Sequence, residues 1–212
     1  MPLKSVNAIA NGFDTTTKNL LLFAPPLVLL AIQLLFQFLV YNFPNIWLVW
    51  AGRFIVGLIG FIAYCIVVDM TNDAINGQPL NLNKSLNAIM GRLAELILVA
   101  IVTVLCALTI LLIPLALFLR TITVVEKTDT NQTISKSVDF VRNNLGEVVF
   151  FAIIVIIVAV FISFGFSLIP FVGAYLSDFL NMLVNVVFTT ASVHLYFSLK
   201  ETTTTPQQSL NT

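Results

Sequence analysis

Six apolar runs alternate along the chain with short polar stretches. A helix needs roughly 20 apolar residues to cross a bilayer core, with about 17 as the short limit. Leu20 to Tyr41 is the first run, with Pro25 and Pro26 near its start, where a lost backbone donor matters least. Ile46 to Val68 is the second, entered through Trp47 and Trp50, whose amphipathic rings suit a membrane interface. Leu93 to Val125 is too long for one ordinary span, and a break at Leu112-Ile113-Pro114 yields a third and a fourth, both short. A single kinked helix over those residues is the alternative, and it would put the C-terminal third of the chain on the other side. Leu145 to Ser167 is the fifth and Phe171 to Leu199 the sixth, joined through Ile169-Pro170. The tail, residues 201–212, rich in Thr and Gln, has nothing to bury and is expected to be a disordered cytoplasmic tail.

Composition turns this pattern into a membrane assignment. The 212 residues are 58% apolar and 9% charged, with a mean hydropathy of +1.00, whereas roughly a quarter of a soluble domain is charged. The zero formal net charge gives no basic field for nucleic acid. Membrane lipid is therefore the expected partner, with an unidentified membrane protein as a second possibility and no nucleic acid. Cys65 and Cys106 lie inside apolar runs without ligand spacing and read as packing residues, so no metal and no cofactor is expected. The first run ends without a small-residue cleavage site and reads as a retained span.

Charge then gives the threading. Eight of the ten basic residues fall in four stretches, at Lys4 and Lys18, at Lys84 and Arg92, at Lys127, Lys136 and Arg142, and at Lys200. The connections at residues 41–45, 111–115 and 168–173 carry no charge. By the positive-inside rule both termini and two internal connections are cytoplasmic, in a multi-pass protein of the cytoplasmic membrane.

A hexapeptide recurs before the first, third and fifth runs: Lys4-Ser5-Val6-Asn7-Ala8-Ile9, Lys84-Ser85-Leu86-Asn87-Ala88-Ile89 and Lys136-Ser137-Val138-Asp139-Phe140-Val141. The second and third copies stay in register through Glu95 and Glu147. Each copy has apolar residues at helical spacing, namely Val6, Ile9 and Phe13; Leu86, Ile89 and Met90; Ile134, Val138 and Val141. Asn83 and Asn131 are placed to cap the second and third copies. The expected architecture is all-α: a bundle of six transmembrane helices with short interfacial amphipathic helices, their Lys toward headgroups, and an internal repeat of units 1–70, 80–127 and 131–199.

Candidate chemistry is confined to polar groups inside the apolar runs, where each is expensive. Counted from the outer ends of their spans, Arg53, Arg120 and Asp178 share a depth of roughly 10 Å. Such a cluster either pairs Asp178 with one Arg for packing while the other snorkels, or leaves a net positive charge for an anionic substrate or lipid headgroup. Asp178, Asn181, Asn185 and Ser192, with Thr189 beside them, form a stripe on the last span, and Gln33, Gln37, Ser163 and Ser167 are its natural partners. The lone His194 has no second ligand nearby, and Glu95 and Glu147 are placed to pair with Arg92 and Arg142. No catalytic set emerges. The expected function is a non-enzymatic membrane accessory or scaffold; the alternative is a carrier or permease for a small anionic or lipid-like molecule.

Val124-Val125-Glu126, a short polar turn, Ser135-Lys136-Ser137-Val138 and Arg142-Asn143-Asn144 before a long apolar run resemble a group of prokaryotic six-helix membrane proteins of uncharacterised function. The group is related to the membrane domain found beside glycerophosphodiester phosphodiesterases. The resemblance implies a helical membrane fold and no particular activity; the phosphodiesterase domain with its metal-binding acids has no counterpart in this chain.

Overall fold

A computed structural model describes residues 3–109, 112–167, 169 and 172–204, which contain helices and no strand. In chain order they are α1 (Lys4–Lys18), a 3-10 turn (Leu20–Phe23), α2 (Ala24–Asn42), α3 (Ile46–Ile75), α4 (Leu82–Met90), α5 (Leu93–Ala107), α6 (Ile113–Glu126), α7 (Thr130–Asn143), α8 (Leu145–Ser167) and α9 (Gly173–Thr204). Four segments are long and apolar enough to cross a membrane: the 3-10 turn with α2, then α3, α8 and α9. Counting α4 and α5, which meet at a bend of 81°, as one broken span makes five. Side chains as large as Trp47 (80% exposed) and Phe161 (79%) stand on the outside, an apolar surface far beyond what a soluble monomer displays.

The stretch from Leu93 to Val125 is two helices, not one kinked helix. Arg92, just before α5, donates to the carbonyl oxygens of Thr123 (3.2 Å) and Thr128 at the far end of α6, so the two run antiparallel. Pro114 sits in the first turn of α6, where its missing N–H breaks no helical bond. At 15 and 14 residues the pair is short, about 22 Å each way.

α3, α6 and α9 touch one another in the centre. Around them α2 packs on α3 and α9, α5 on α6 and α3, and α8 on α9 and α6. At one end α1 lies along α9, α4 against α3 and α7 against α6, forming a collar. Cys65, Val67, Val68 and Met70 of α3 meet Leu96, Val124, Val186 and Val193 in one core cluster; Phe118, Phe151, Phe188 and Tyr196 anchor a second, and Val99, Cys106, Ala116 and Leu119 form a third between α5 and α6.

Several local expectations are corrected. The caps of α4 and α7 are Asn81 and Asp129, accepting from the N–H groups of Lys84 and Gln132. Asn83 and Asn131 lie inside the first turns, because each helix begins earlier than its apolar periodicity. α9 runs to Thr204, so the expected disorder from residue 201 does not hold for its first four residues. The remainder of the tail lies outside the described residues.

The short helices turn mostly small and hydroxyl-bearing residues to the bundle. Ser5, Ala8, Gly12 and Thr16 are the buried residues of α1, Ser85 and Ile89 those of α4, and Thr133 and Ser137 those of α7. Val6, Phe13, Leu86, Met90 and Val138 point outward. Small side chains bring the collar close to the bundle and leave the large apolar ones for lipid. The repeated lysines do not reach only for headgroups. Lys4 donates to the Ser198 carbonyl of α9 (2.9 Å), Lys84 to Asp73 of α3 (2.8 Å), and Lys136 to Glu126 of α6.

Candidate functional site

α9 is polar on one side along most of its length, a side that is buried at Thr189 and Ser192, partly buried at Asp178 and Asn181 and exposed at Asn185. Gln37 of α2 donates to Asp178 (3.0 Å), and Asn181 donates to Ser177 (3.2 Å) and to Ser163 of α8 (3.3 Å). Two of the partners expected for the stripe, Gln37 and Ser163, are therefore in place; the side chain of Ser167 lies outside what is described. Asn185 interacts with Tyr64 of α3. Nearer the collar, Arg120 of α6 donates to Thr189 (3.0 Å) and its guanidinium lies 5.1 Å from the Tyr64 ring centre. Beyond it two hydroxyl pairs close the centre, Thr121 with Ser192 (2.9 Å) and Thr71 with Thr190 (3.3 Å), all four buried.

Gln33, Tyr64, Asp178, Asn181, Met182 and Asn185 line a cavity of about 230 Å³ between α2, α3 and α9. Gln33 also lines a groove of about 690 Å³ between α2 and α3, together with Phe36, Gln37, Tyr41, Arg53 and Gly57. Arg53 and Gly57 recur in a third space, about 450 Å³ between α3 and α5, with Trp50, Phe54, Phe61 and Val104.

The expected cluster of Arg53, Arg120 and Asp178 does not form. Among the described residues no ion pair joins Asp178 to either arginine. Helix length is the reason. Tyr64 and Thr189, which hold Arg120, lie about 27 and 24 Å along α3 and α9 from their first residues, while Arg120 is only about 10 Å into α6. α6 starts far nearer the collar, so equal counts from the helix starts are not equal depths. Asp178, Asn181 and Asn185 share one cavity; Arg120 touches it only through Tyr64; Arg53 stands apart, exposed on α3. One buried atom of Arg120, Nε, has no hydrogen-bond partner.

The collar holds the ion pairs instead. Arg92 pairs with Glu95 as expected (2.6 Å). Glu147 does not take Arg142: it accepts from the backbone N–H groups of Lys4 (3.1 Å) and Ser5 (2.9 Å) and from the Ser5 hydroxyl, capping α1 from the start of α8. Glu126, just past the apolar part of α6, receives Lys136, Lys200 and the Tyr196 hydroxyl. Burial raises its pKa, but those three hydrogen bonds outweigh burial and hold the carboxyl at about 2. Tyr64 and Glu126 carry contacts that sequence reasoning did not assign, since one sits in an apolar run and the other reads as an ordinary interfacial acid. His194 bonds Thr15 of α1 (2.9 Å), tying the first and last helices. Both cysteines are buried and free.

No known family, curated protein or solved structure matches the chain, so the resemblance to the membrane domain found beside glycerophosphodiester phosphodiesterases rests on the short motifs quoted for it.

Proposed function

We propose that the chain is a six-span protein of the cytoplasmic membrane, built from units 1–70, 80–127 and 131–199, with the collar and both termini in the cytoplasm. Its role is that of a non-enzymatic accessory that binds an anionic, lipid-like molecule from the outer half of the bundle. Three features support the repeated unit: each hexapeptide lysine reaches the end of the preceding unit's second helix, or of the last unit's in the case of Lys4; each hexapeptide serine is fully buried; and the helix contacts follow one cyclic order. The basic residues of the collar support its cytoplasmic side.

The observation that carries the binding role is that, among the described residues, Arg53 and Arg120 both lack a carboxylate partner while polar groups beside them line open space. A cation in an apolar setting without a counterion favours an anionic ligand. The hydroxyl pairs Thr71–Thr190 and Thr121–Ser192 favour an accessory over a carrier, because they close the centre between cavity and collar. Purification in mild detergent followed by identification of retained lipid tests the role. An acidic lipid should be retained, and adding it should raise heat stability more than a zwitterionic lipid does; retention of none, with no stability difference, would refute it.

A further inference from the structure

Arg53 and Gly57 form a saddle on α3, one helical turn apart, with a groove on either side. The first groove extends from Leu29 to Tyr41 on α2 and from Val49 to Gly60 on α3, about 17 Å by helix rise. The second is walled by Trp50, Phe54 and Phe61 of α3 and by Ile101, Val104 and Leu105 of α5, nearly all apolar. A Cβ at Gly57 would meet nothing within 4 Å, so the glycine leaves the saddle open between the grooves. Arg53 is exposed, has no ion pair among the described residues, and lies about 10 Å along α3 from its start, within reach of the interface for a snorkelling guanidinium.

We infer that the saddle seats one two-chain anionic phospholipid astride α3, its phosphate on Arg53 and one acyl chain in each groove. This rests on the proposed lipid binding and gives it a place and a ligand class. Charge complementarity selects the ligand. Among the described residues Arg53 is the only charged one lining either groove, and it is cationic, so an anionic headgroup gains a charge-assisted contact that a zwitterionic one shares with its own ammonium. The paired grooves select two chains over one.

The chain has two tryptophans, and Trp50 walls the second groove, so a Trp47→Phe background reports on that groove alone. The probes are brominated phosphatidylglycerol, phosphatidylcholine and lysophosphatidylglycerol, titrated in detergent as quenchers of Trp50. Phosphatidylglycerol should quench at the lowest mole fraction, and Arg53→Gln should require about tenfold more of it, the loss of one charge-assisted contact. Arg53→Lys should keep much of the preference, and Gly57→Leu should weaken quenching by the two-chain lipid more than by the one-chain lipid. Equal quenching by phosphatidylglycerol and phosphatidylcholine in the otherwise native protein would overturn the saddle, even if Arg53→Gln failed to fold. If acidic lipid still co-purifies with Arg53→Gln at native level, the saddle is wrong and the binding role stands; if none co-purifies with the native protein, that role itself falls.

Discussion

At the scale of single residues, Gly12 makes a contact that no larger residue could make. A Cβ there would lie 2.7 Å from the backbone nitrogen of Ala191, so α1 touches the main chain of α9. Gly12→Leu should cost about 1–3 kcal/mol through overpacking, visible as a lower unfolding temperature in detergent; an unchanged temperature would mean that α1 does not lie on α9. Glu126 gives a pH signature. Its folded pKa of about 2 lies below the ordinary 4.5, so its stabilising contribution is complete above pH 4.5 and is lost as pH falls toward 2. Glu126→Gln should therefore lower heat stability at neutral pH, and the gap to the native protein should shrink below pH 4.5. Asp178 behaves differently, because its partner is the neutral Gln37. Asp178→Asn keeps an acceptor for that amide and strands no cation, so the change in stability should stay below about 1 kcal/mol, and no arginine substitution should compensate it. The stripe and its partners were legible because polar residues at three-and-four spacing in an apolar helix must meet other polar residues. The pairing of Asp178 was not, because depth counted from the start of a helix assumes helices of equal reach.

At the scale of elements, α1, α4 and α7 show that an amphipathic pattern identifies a helix without deciding which of its faces meets the bundle. In water, Val138 would face the core and Ser137 the solvent. In a membrane the large apolar residues can face lipid, and packing favours small residues that let helices approach. Ser137 is fully buried and Val138 is 45% exposed. Ser137→Leu should thus destabilise the protein by about 1–3 kcal/mol, while Val138→Ser should change its stability in detergent far less; the reverse ranking would contradict the packing of α7 on α6. Four of the expected spans match helices long and apolar enough to cross a membrane: α8 covers the expected fifth, and α3 begins at the expected Ile46 but runs past Val68 to Ile75. The caps were not, since several asparagines stand near the start of α4 and only the backbone decides which is the cap.

At the scale of the whole molecule, the chain closes on itself. α1 lies along α9, joined by His194 to Thr15 and by Lys4 to Ser198, so the collar helix α1 fastens the last helix to the start of the chain. α2 and α8 run away from the collar, and α3 and α9 return to it. The clustering of basic residues made the charged collar legible. The cyclic packing was not, because which hairpin neighbours which depends on contacts between residues far apart in the chain. Impermeant thiol labelling of intact cells tests the threading most directly, with single cysteines placed in a version lacking Cys65 and Cys106. Gly173 is a poor site, since a Cβ there would lie 2.0 Å from the Phe166 carbonyl oxygen; Phe43 and Tyr175, both exposed, serve for the tips, and Gln78 and Asn131 for the collar. Cysteines at Phe43 and Tyr175 should be labelled from outside and those at Gln78 and Asn131 protected until the membrane is opened. Labelling of Asn131 with protection of Tyr175 would contradict the account.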